Sequence, residues 1–178
     1  DAYGKTMRRL PVLAPLFLAV LMSAARAEPL TIGVSAPLSG PFAILGRQIA
    51  DGAAAAQAAL GGEEKVRLVI VDDRCDAAGG KEAAAQLAAV EVRAVTGYLC
   101  TPSLQTALPI FRSAKIPVIA LGVRPVKILE DAAKNGDALF RLGPESGEEE
   151  AAVEELPLPL WCGANFAIID DGTILARE

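Results

Sequence analysis

The sequence predicts a doubly wound α/β fold, in which helices cover both faces of a parallel β-sheet. Short, continuous runs of β-branched and apolar residues alternate with longer alanine-rich stretches that have helical spacing. Strands that are buried on both faces of a parallel sheet have this continuous apolar character. With 178 residues, 52% of them hydrophobic, the chain is long enough for one lobe with a substantial core and part of another.

Five strands and four helices are predicted before residue 143, with the strand order 2-1-3-4-5. The first helix ends at the helix-stopping pair Gly61-Gly62. Ser103 is the expected N-cap of the third helix, and Pro109 is expected to distort that helix. The predicted strands are 30–35, 66–71, 92–96, 117–121 and 138–142, and the predicted helices are 44–60, 80–90, 103–114 and 126–133.

A turn at 143–147 is expected to separate this lobe, residues 28–143, from the rest of the chain. A helix at 148–156 and a strand at 166–170 follow the turn, with neither a partner strand nor a covering helix after them. We therefore expect residues 144–178 to be a hinge and the truncated start of a second, similar lobe. The sequence is accordingly expected to be the first part of a longer protein.

Residues 7–27 have the pattern of a secretory signal peptide. Two arginines precede an uncharged apolar run, 10–22, and the small-x-small sequence Ala25-Arg26-Ala27 follows it. A membrane anchor is the alternative, but thirteen apolar residues that include two prolines are too few to cross the ~30 Å hydrocarbon layer. We expect cleavage after Ala27, and we interpret residues 1–6 as an upstream misread of the start site.

Composition narrows the possible functions. The chain has no histidine, which excludes Ser-His-Asp and Cys-His catalysis as well as histidine metal sites. After residue 27 the chain holds 13 basic and 21 acidic residues, a net charge of −8, which disfavours binding to nucleic acid or to an anionic membrane surface. No cofactor and no metal site is predicted.

Ligands of open parallel sheets bind at the carboxyl ends of the strands, where the winding reverses. Here that crevice would lie between strands one and three, bordered by the loops 36–46, 97–103 and 121–125. Hydroxyl groups, an aromatic ring, a guanidinium and a helix start in these loops favour a carboxylate ligand. The candidates are Ser39, Phe42, Thr101, Ser103 and Arg124. The alternative is that the hydroxyls cap turns and helices, that Phe42 packs in the core and that Arg124 is a solvated charge.

Catalytic motifs are weak or absent. The sequence lacks GxGxxG after the first strand, GxxxxGK[ST] and GxSxG. The pairs Asp72-Asp73 and Asp170-Asp171 could bind metals, but adjacent strand residues point to opposite faces. We interpret both pairs as strand ends whose carboxylates bond backbone amides. The acidic run 145–150 is interpreted as a charged helix start.

An ordered set of motifs resembles a known family, the type I periplasmic binding proteins of branched-chain amino acid (leucine/isoleucine/valine) ABC transporters. The resemblance covers nearly all of residues 28–178. Its main motifs are Leu38-Ser39-Gly40-Pro41, Val71-Asp72-Asp73-Arg74-Cys75-Asp76, Gly97-Tyr98-Leu99-Cys100-Thr101-Pro102-Ser103, Ile116-Pro117-Val118-Ile119, Phe140-Arg141 and Ala167-Ile168-Ile169-Asp170-Asp171-Gly172-Thr173.

The resemblance implies two lobes that close on a ligand, and it implies a disulfide. In an exported protein, three cysteines are most simply one pair and one leftover thiol. The family pairs a cysteine after strand two with one after strand three, and Cys75 and Cys100 occupy those places. Whether their Cα atoms come within ~7 Å is a geometric test of this pairing. Cys162 has no counterpart in the family.

The resemblance also implies ligand contacts, carried over residue by residue. Thr101, directly after the second cysteine, would bond the ligand carboxylate, with Ser103 in the same helix start. After strand four the family has a small residue and then a threonine, where this chain has Val123 and Arg124. A guanidinium repels an ammonium group and suits a carboxylate, so Arg124 is a departure from the pattern. Phe42 lies close to the position of a family tyrosine.

The resulting hypothesis is a periplasmic solute-binding protein that performs no chemistry. It would be a monomer that binds a branched-chain or other amino acid, or a related small carboxylate, and docks on an ABC permease in the inner membrane. The alternative is a ligand-sensing domain of the same fold, an amide or amino-acid receptor or regulator. An exported enzyme is the third possibility, and the missing histidine and nucleophile motifs speak against it.

Overall fold

The computed structural model describes residues 28–143, together with Glu148 and Ala151. The predictions for the leader, for Cys162, for Asp170-Asp171 and for the strand at 166–170 fall outside the described residues.

Five parallel strands form one sheet in the order β2-β1-β3-β4-β5. This order and the doubly wound fold class confirm the prediction. The strands are β1 (Leu30–Ala36), β2 (Val66–Asp72), β3 (Ala94–Gly97), β4 (Val118–Ala120) and β5 (Leu139–Arg141). The helices are α1 (Ala43–Ala59), α2 (Ala77–Ala89), α3 (Thr101–Ala114) and α4 (Val126–Asn135), and a short 3-10 helix spans Gly62–Glu64.

The core lies between the sheet and the helix pair α2 and α3. Right-handed crossovers place α1 on one face of the sheet and the other three helices on the opposite face. Ala83 and Ala84 are fully buried, and such small side chains allow α2 to approach α3 closely. Leu104 and Phe111 of α3 are buried against the strands. The Phe111 ring packs edge-on against the Tyr98 ring, with the ring centroids 6.3 Å apart. Among the described helices, none combines the length and the apolar composition that crossing a membrane requires.

The α2 and α3 helices begin at least two residues earlier than predicted, and a side-chain cap accounts for the start of α2. The α2 helix begins at Ala77, since the Asp76 carboxylate accepts a hydrogen bond from the Gly79 amide at 2.6 Å and caps it. The α3 helix begins at Thr101 with Cys100 as its N-cap, so the prediction of Ser103 as the cap is wrong. The helix continues through Pro109 to Ala114.

Gly97 ends β3 in a conformation that places the following turn against β1. Its φ is 115°, and a Cβ at this position would overlap the backbone carbonyl of Ser35. The next residue, Tyr98, donates its amide hydrogen to that same carbonyl at 2.8 Å. The close approach of the two backbones therefore fixes where the chain leaves β3.

Replacing Gly97 with alanine tests this constraint. We expect Gly97→Ala to lower the free energy of unfolding by about 3 kcal/mol, because the left-handed φ and the overlap with Ser35 both become costly. The matched control is Gly52→Ala in α1, where a Cβ meets nothing within 4 Å. That substitution should raise the free energy of unfolding by about 0.5–1 kcal/mol through helix propensity, measured by urea denaturation. Similar effects of the two substitutions would contradict this account.

Candidate functional site

The candidate site lies at the carboxyl edge of the sheet, at the tips of β1 and β3. These strands are neighbours, but the chain leaves β1 towards α1 on one face and leaves β3 towards α3 on the other. Such a change in winding direction opens a crevice between the two loops. The loop between β4 and α4 borders it, because β4 lies next to β3.

Thr101 occupies the first position of α3, directly after the N-cap Cys100. It is partly exposed, at the point where the loop after β3 enters the helix. Backbone N–H groups in the first turn of a helix have no intrahelical acceptor, and the helix dipole makes this end partially positive. The start of α3 is therefore chemically suited to a carboxylate or another anion.

Ser103 lies in the same helical turn but faces the interior. It is fully buried, and its hydroxyl donates a hydrogen bond to the Cys100 carbonyl at 2.9 Å. The hydroxyl also interacts with the buried carboxylate of Asp73. The Ser103 side chain thus supports the helix start from within the lobe.

Val123 and Arg124 lie in the loop that follows β4. Val123 is 1% exposed and belongs to the core cluster, so any contact with a ligand would come from its backbone. Arg124 is partly exposed, and its backbone carbonyl accepts a hydrogen bond from Nη1 of Arg141 at 2.6 Å. Arg141, which ends β5, therefore holds this loop in place. Two arginines therefore lie on this side of the carboxyl edge.

Phe42 lies on the other side of the crevice, directly before α1. It is partly exposed, and its carbonyl accepts a hydrogen bond from the Gly46 amide at 3.0 Å. The preceding loop is held by Asp72, whose Oδ1 accepts hydrogen bonds from the Leu38 amide at 2.8 Å and the Arg74 amide at 2.9 Å. Asp72 therefore bonds backbone amides at a strand end, as interpreted from the sequence.

A disulfide joins Cys75 and Cys100, with a Cα–Cα distance of 5.2 Å. The predicted pairing is confirmed. It connects the turn after β2 to the N-cap of α3 and so crosses the tip of β1, which lies between β2 and β3. The start of α3 is thereby covalently attached to a second loop of the lobe.

Asp73 forms a buried polar cluster beneath this disulfide. Its side chain is fully buried; Oδ2 accepts a hydrogen bond from Ser35 Oγ and Oδ1 accepts one from the Cys75 amide, both at 3.0 Å. Burial raises the pKa of Asp73, and the hydrogen bonds from Cys75, Ser35 and Ser103 oppose that rise. Burial also raises the pKa of Asp72, but the hydrogen bonds from Ser39, Arg74 and Leu38 outweigh it, and the net pKa is lowered.

Tyr98 completes the cluster. It is a fully buried non-glycine residue at a φ of 56°, a conformation that is uncommon outside turns and functional loops. Burial raises the pKa of its phenol, an interaction with Ser35 opposes this rise, and the neighbouring Asp73 adds to it. The turn between β3 and α3 is thus anchored on buried groups.

Asp73 was expected to bond backbone amides, and it does so at Cys75, but its burial and its contact with Ser35 were not predicted. The roles of Ser35 and Arg141 were not predicted either. Strand alternation offered a signal for Asp73, because it continues the face of β2 that Val71 buries, whereas Asp72 points the other way. Ser35 was a polar residue in an otherwise apolar strand. Nothing local in the sequence indicated that Arg141 would reach the Arg124 carbonyl.

A cavity of about 910 Å³ lies elsewhere, at the amino ends of β1, β3 and β4, where it is lined by residues such as Thr31, Arg93 and Pro117. The segments that lead into the strands surround this cavity. The crevice, in contrast, is bordered by loops at a change in winding direction. Among the described residues, no three His, Cys, Asp or Glu side chains are grouped closely enough to hold a metal ion.

Known proteins resemble this chain in sequence. A family model described as periplasmic binding protein matches residues 29–153. Among curated relatives, the Leu/Ile/Val-binding protein homolog 6 of Brucella abortus (strain 2308) is 29% identical over 128 residues. That match covers 69% of this chain and 33% of the relative, so the chain spans about one third of the length of the curated relatives it matches.

Solved structures resemble the lobe to a similar extent. An ABC transporter substrate-binding protein from Sphaerobacter thermophilus has a TM-score of 0.62 and 26% identity, covering 72% of this chain and 37% of that one. A solute-binding protein of an ABC transporter from R. palustris, in complex with 4-hydroxybenzoate, has a TM-score of 0.57 and 25% identity. The latter match covers 66% of this chain and 32% of that chain.

Removing the disulfide tests its contribution to this edge of the sheet. In a Cys162→Ser background, the pair Cys75→Ala and Cys100→Ala should lower the free energy of unfolding by about 3 kcal/mol, because the bridge constrains the unfolded chain. Reductant should produce a similar loss in the parent and none in the double variant, measured by urea denaturation. Iodoacetamide labelling of both cysteines in unreduced, native parent protein would contradict the pairing.

Proposed function

The chain belongs to the periplasmic binding protein family, and we propose that it forms the first lobe of an extracytoplasmic solute-binding protein of an ABC transporter. The lobe would hold one side of a small carboxylated ligand, such as a branched-chain or other amino acid or an aromatic acid. A second lobe would close on the other side by a hinge motion. The protein would bind its ligand without chemical change.

The start of α3 at the crevice carries this proposal. Thr101 supplies a hydroxyl there, and the first helical turn supplies a partial positive charge and the backbone N–H groups of Thr101 and Ser103, because Pro102 has none. The disulfide at Cys100 and the buried Ser103 support the helix start from behind. A rigid anion-binding end that borders an open crevice is what a ligand carboxylate requires on one side.

Arg124 bears on which carboxylate is bound. A guanidinium close to the ligand would repel an α-ammonium group. It would pair with the single carboxylate of a ligand that has one, or with the second carboxylate of a ligand that has two. The relatives point to both possibilities, since one is named a Leu/Ile/Val-binding protein homologue and another was solved with 4-hydroxybenzoate. Phe42 on the opposite side of the crevice could pack against an aliphatic or an aromatic ligand.

The remaining parts of the proposal follow from the family. The closed protein would dock, as a monomer, on a permease in the inner membrane and would work in the periplasm after cleavage of the leader. A sensing role uses the same lobe geometry. If ligand uptake depends on a permease encoded by a neighbouring gene, the role is transport; if it does not, the role is sensing.

Titration calorimetry on the full-length protein, with isoleucine and 4-hydroxybenzoate as probes, tests ligand binding. We expect binding of at least one probe, and we expect Arg124→Gln to weaken binding of 4-hydroxybenzoate by roughly tenfold or more, through loss of a charge-assisted hydrogen bond. The matched control is Arg93→Gln, an exposed arginine at the opposite edge of the sheet, which should leave affinity unchanged.

Two results would contradict the proposal. Failure of the unaltered protein to bind either probe or any related carboxylate would remove the ligand class. Equal weakening by Arg124→Gln and Arg93→Gln would remove Arg124 from the site.

A further inference from the structure

We propose that Asp73 is a positioning residue of the binding site, which fixes the orientation of Thr101 without touching the ligand. Its carboxylate lies at the centre of the buried cluster that joins the ends of β1 and β2 to the start of α3. This inference rests on the proposed function, because it assumes that Thr101 contacts the ligand.

The contacts of Asp73 come from three separate elements. Ser35 Oγ donates from the end of β1 at 3.0 Å, and the Cys75 amide donates from the turn after β2, also at 3.0 Å. The Ser103 hydroxyl, in the first turn of α3, lies within reach of both this carboxylate and the Cys100 carbonyl. One buried side chain therefore connects all the parts that surround the tip of β1.

A carboxylate suits the two donors that bond it, Ser35 Oγ and the Cys75 amide. Ser35 Oγ donates to one carboxylate oxygen and the Cys75 amide donates to the other, so both acceptor oxygens are used. An asparagine of the same shape carries no charge, so its hydrogen bonds to the Cys75 amide and to Ser35 would be weaker than those of the carboxylate. Burying a charge without hydrogen bonds is unfavourable, so the donors are what allow a carboxylate to remain in this interior position.

Two short paths lead from Asp73 to Thr101. The first runs through Cys75, which the disulfide joins to Cys100, the residue before Thr101. The second runs through Ser103, whose hydroxyl also bonds the Cys100 carbonyl. Because both paths end at the N-cap of α3, a change at Asp73 shifts the helix start that presents the Thr101 hydroxyl.

The test compares Asp73→Asn with Asp137→Asn in the full-length protein. Asp137 is also almost fully buried, at 3% exposure of its side chain, but it pairs with Arg112 in a bidentate contact at 2.7 and 3.0 Å away from the site. By calorimetry with isoleucine and 4-hydroxybenzoate, Asp73→Asn should weaken binding by about tenfold, the loss expected for one hydrogen bond to a charged group. Asp137→Asn should lower stability while leaving affinity unchanged.

A milder pair of substitutions keeps the test decisive if Asp73→Asn does not fold. Ser103→Ala removes one buried hydroxyl beneath the helix start. Ser113→Ala removes an exposed hydroxyl at the far end of α3, where Ser113 Oγ also donates to a backbone carbonyl of its own helix, that of Pro109, at 2.9 Å. Ser103→Ala should weaken ligand binding several-fold through loss of a neutral hydrogen bond, and Ser113→Ala should not. An equal loss of affinity in Asp73→Asn and Asp137→Asn, or in Ser103→Ala and Ser113→Ala, would overturn the positioning role of Asp73.

A measurement without ligand separates this inference from the proposed function. The rate at which a phosphine reduces the Cys75–Cys100 disulfide in native protein should rise about tenfold in Asp73→Asn relative to Asp137→Asn, because the Cys75 turn loses a charge-assisted hydrogen bond. If the unaltered protein binds neither probe but this rate rises, the proposed ligand fails and the support of the turn stands. If binding is intact and the rate is unchanged, Asp73 is not a positioning residue and the function stands.

Discussion

The direction in which the chain leaves β1 and β3 is the constraint on which the rest of the lobe depends. Right-handed crossovers send the first connection to one face of the sheet and the third to the other, although the two strands are neighbours. A crevice must then open at their carboxyl ends. Thr101 at the start of α3, Arg124 and Arg141 lie along this edge, and the segments that lead into the strands lie at the opposite edge.

An open crevice leaves loops that would be mobile without support, and the structure supplies that support from beneath. The Gly97 turn lies against the backbone of Ser35, the disulfide crosses the tip of β1, and the Asp73 carboxylate collects donors from three elements. These groups are buried or partly buried and are hydrogen-bonded or covalently bound, which favours one arrangement of the rim. A preorganised rim loses less conformational entropy when a ligand binds.

The fold was predictable from the sequence because it follows from patterns that many residues share. Apolar runs and alanine-rich stretches predicted the alternating strands and helices of a doubly wound sheet, and the disulfide followed from the family resemblance at Cys75 and Cys100. Positions that depend on single side chains were harder. Asp76 extended α2 by capping it, and Ser103, expected at the crevice, faces the core. Contacts such as Arg141 with the Arg124 carbonyl join distant parts of the chain, and local sequence contains no signal for them.

The central claim is that the ligand meets this lobe at the start of α3. Hydrogen–deuterium exchange of the full-length protein, with and without a saturating carboxylate ligand identified by calorimetry, tests it directly. The account predicts that the ligand slows exchange in the segments 98–104 and 121–125 and leaves the opposite edge, 90–93 and 114–117, unchanged. Protection confined to the opposite edge, where the 910 Å³ cavity lies, would contradict it.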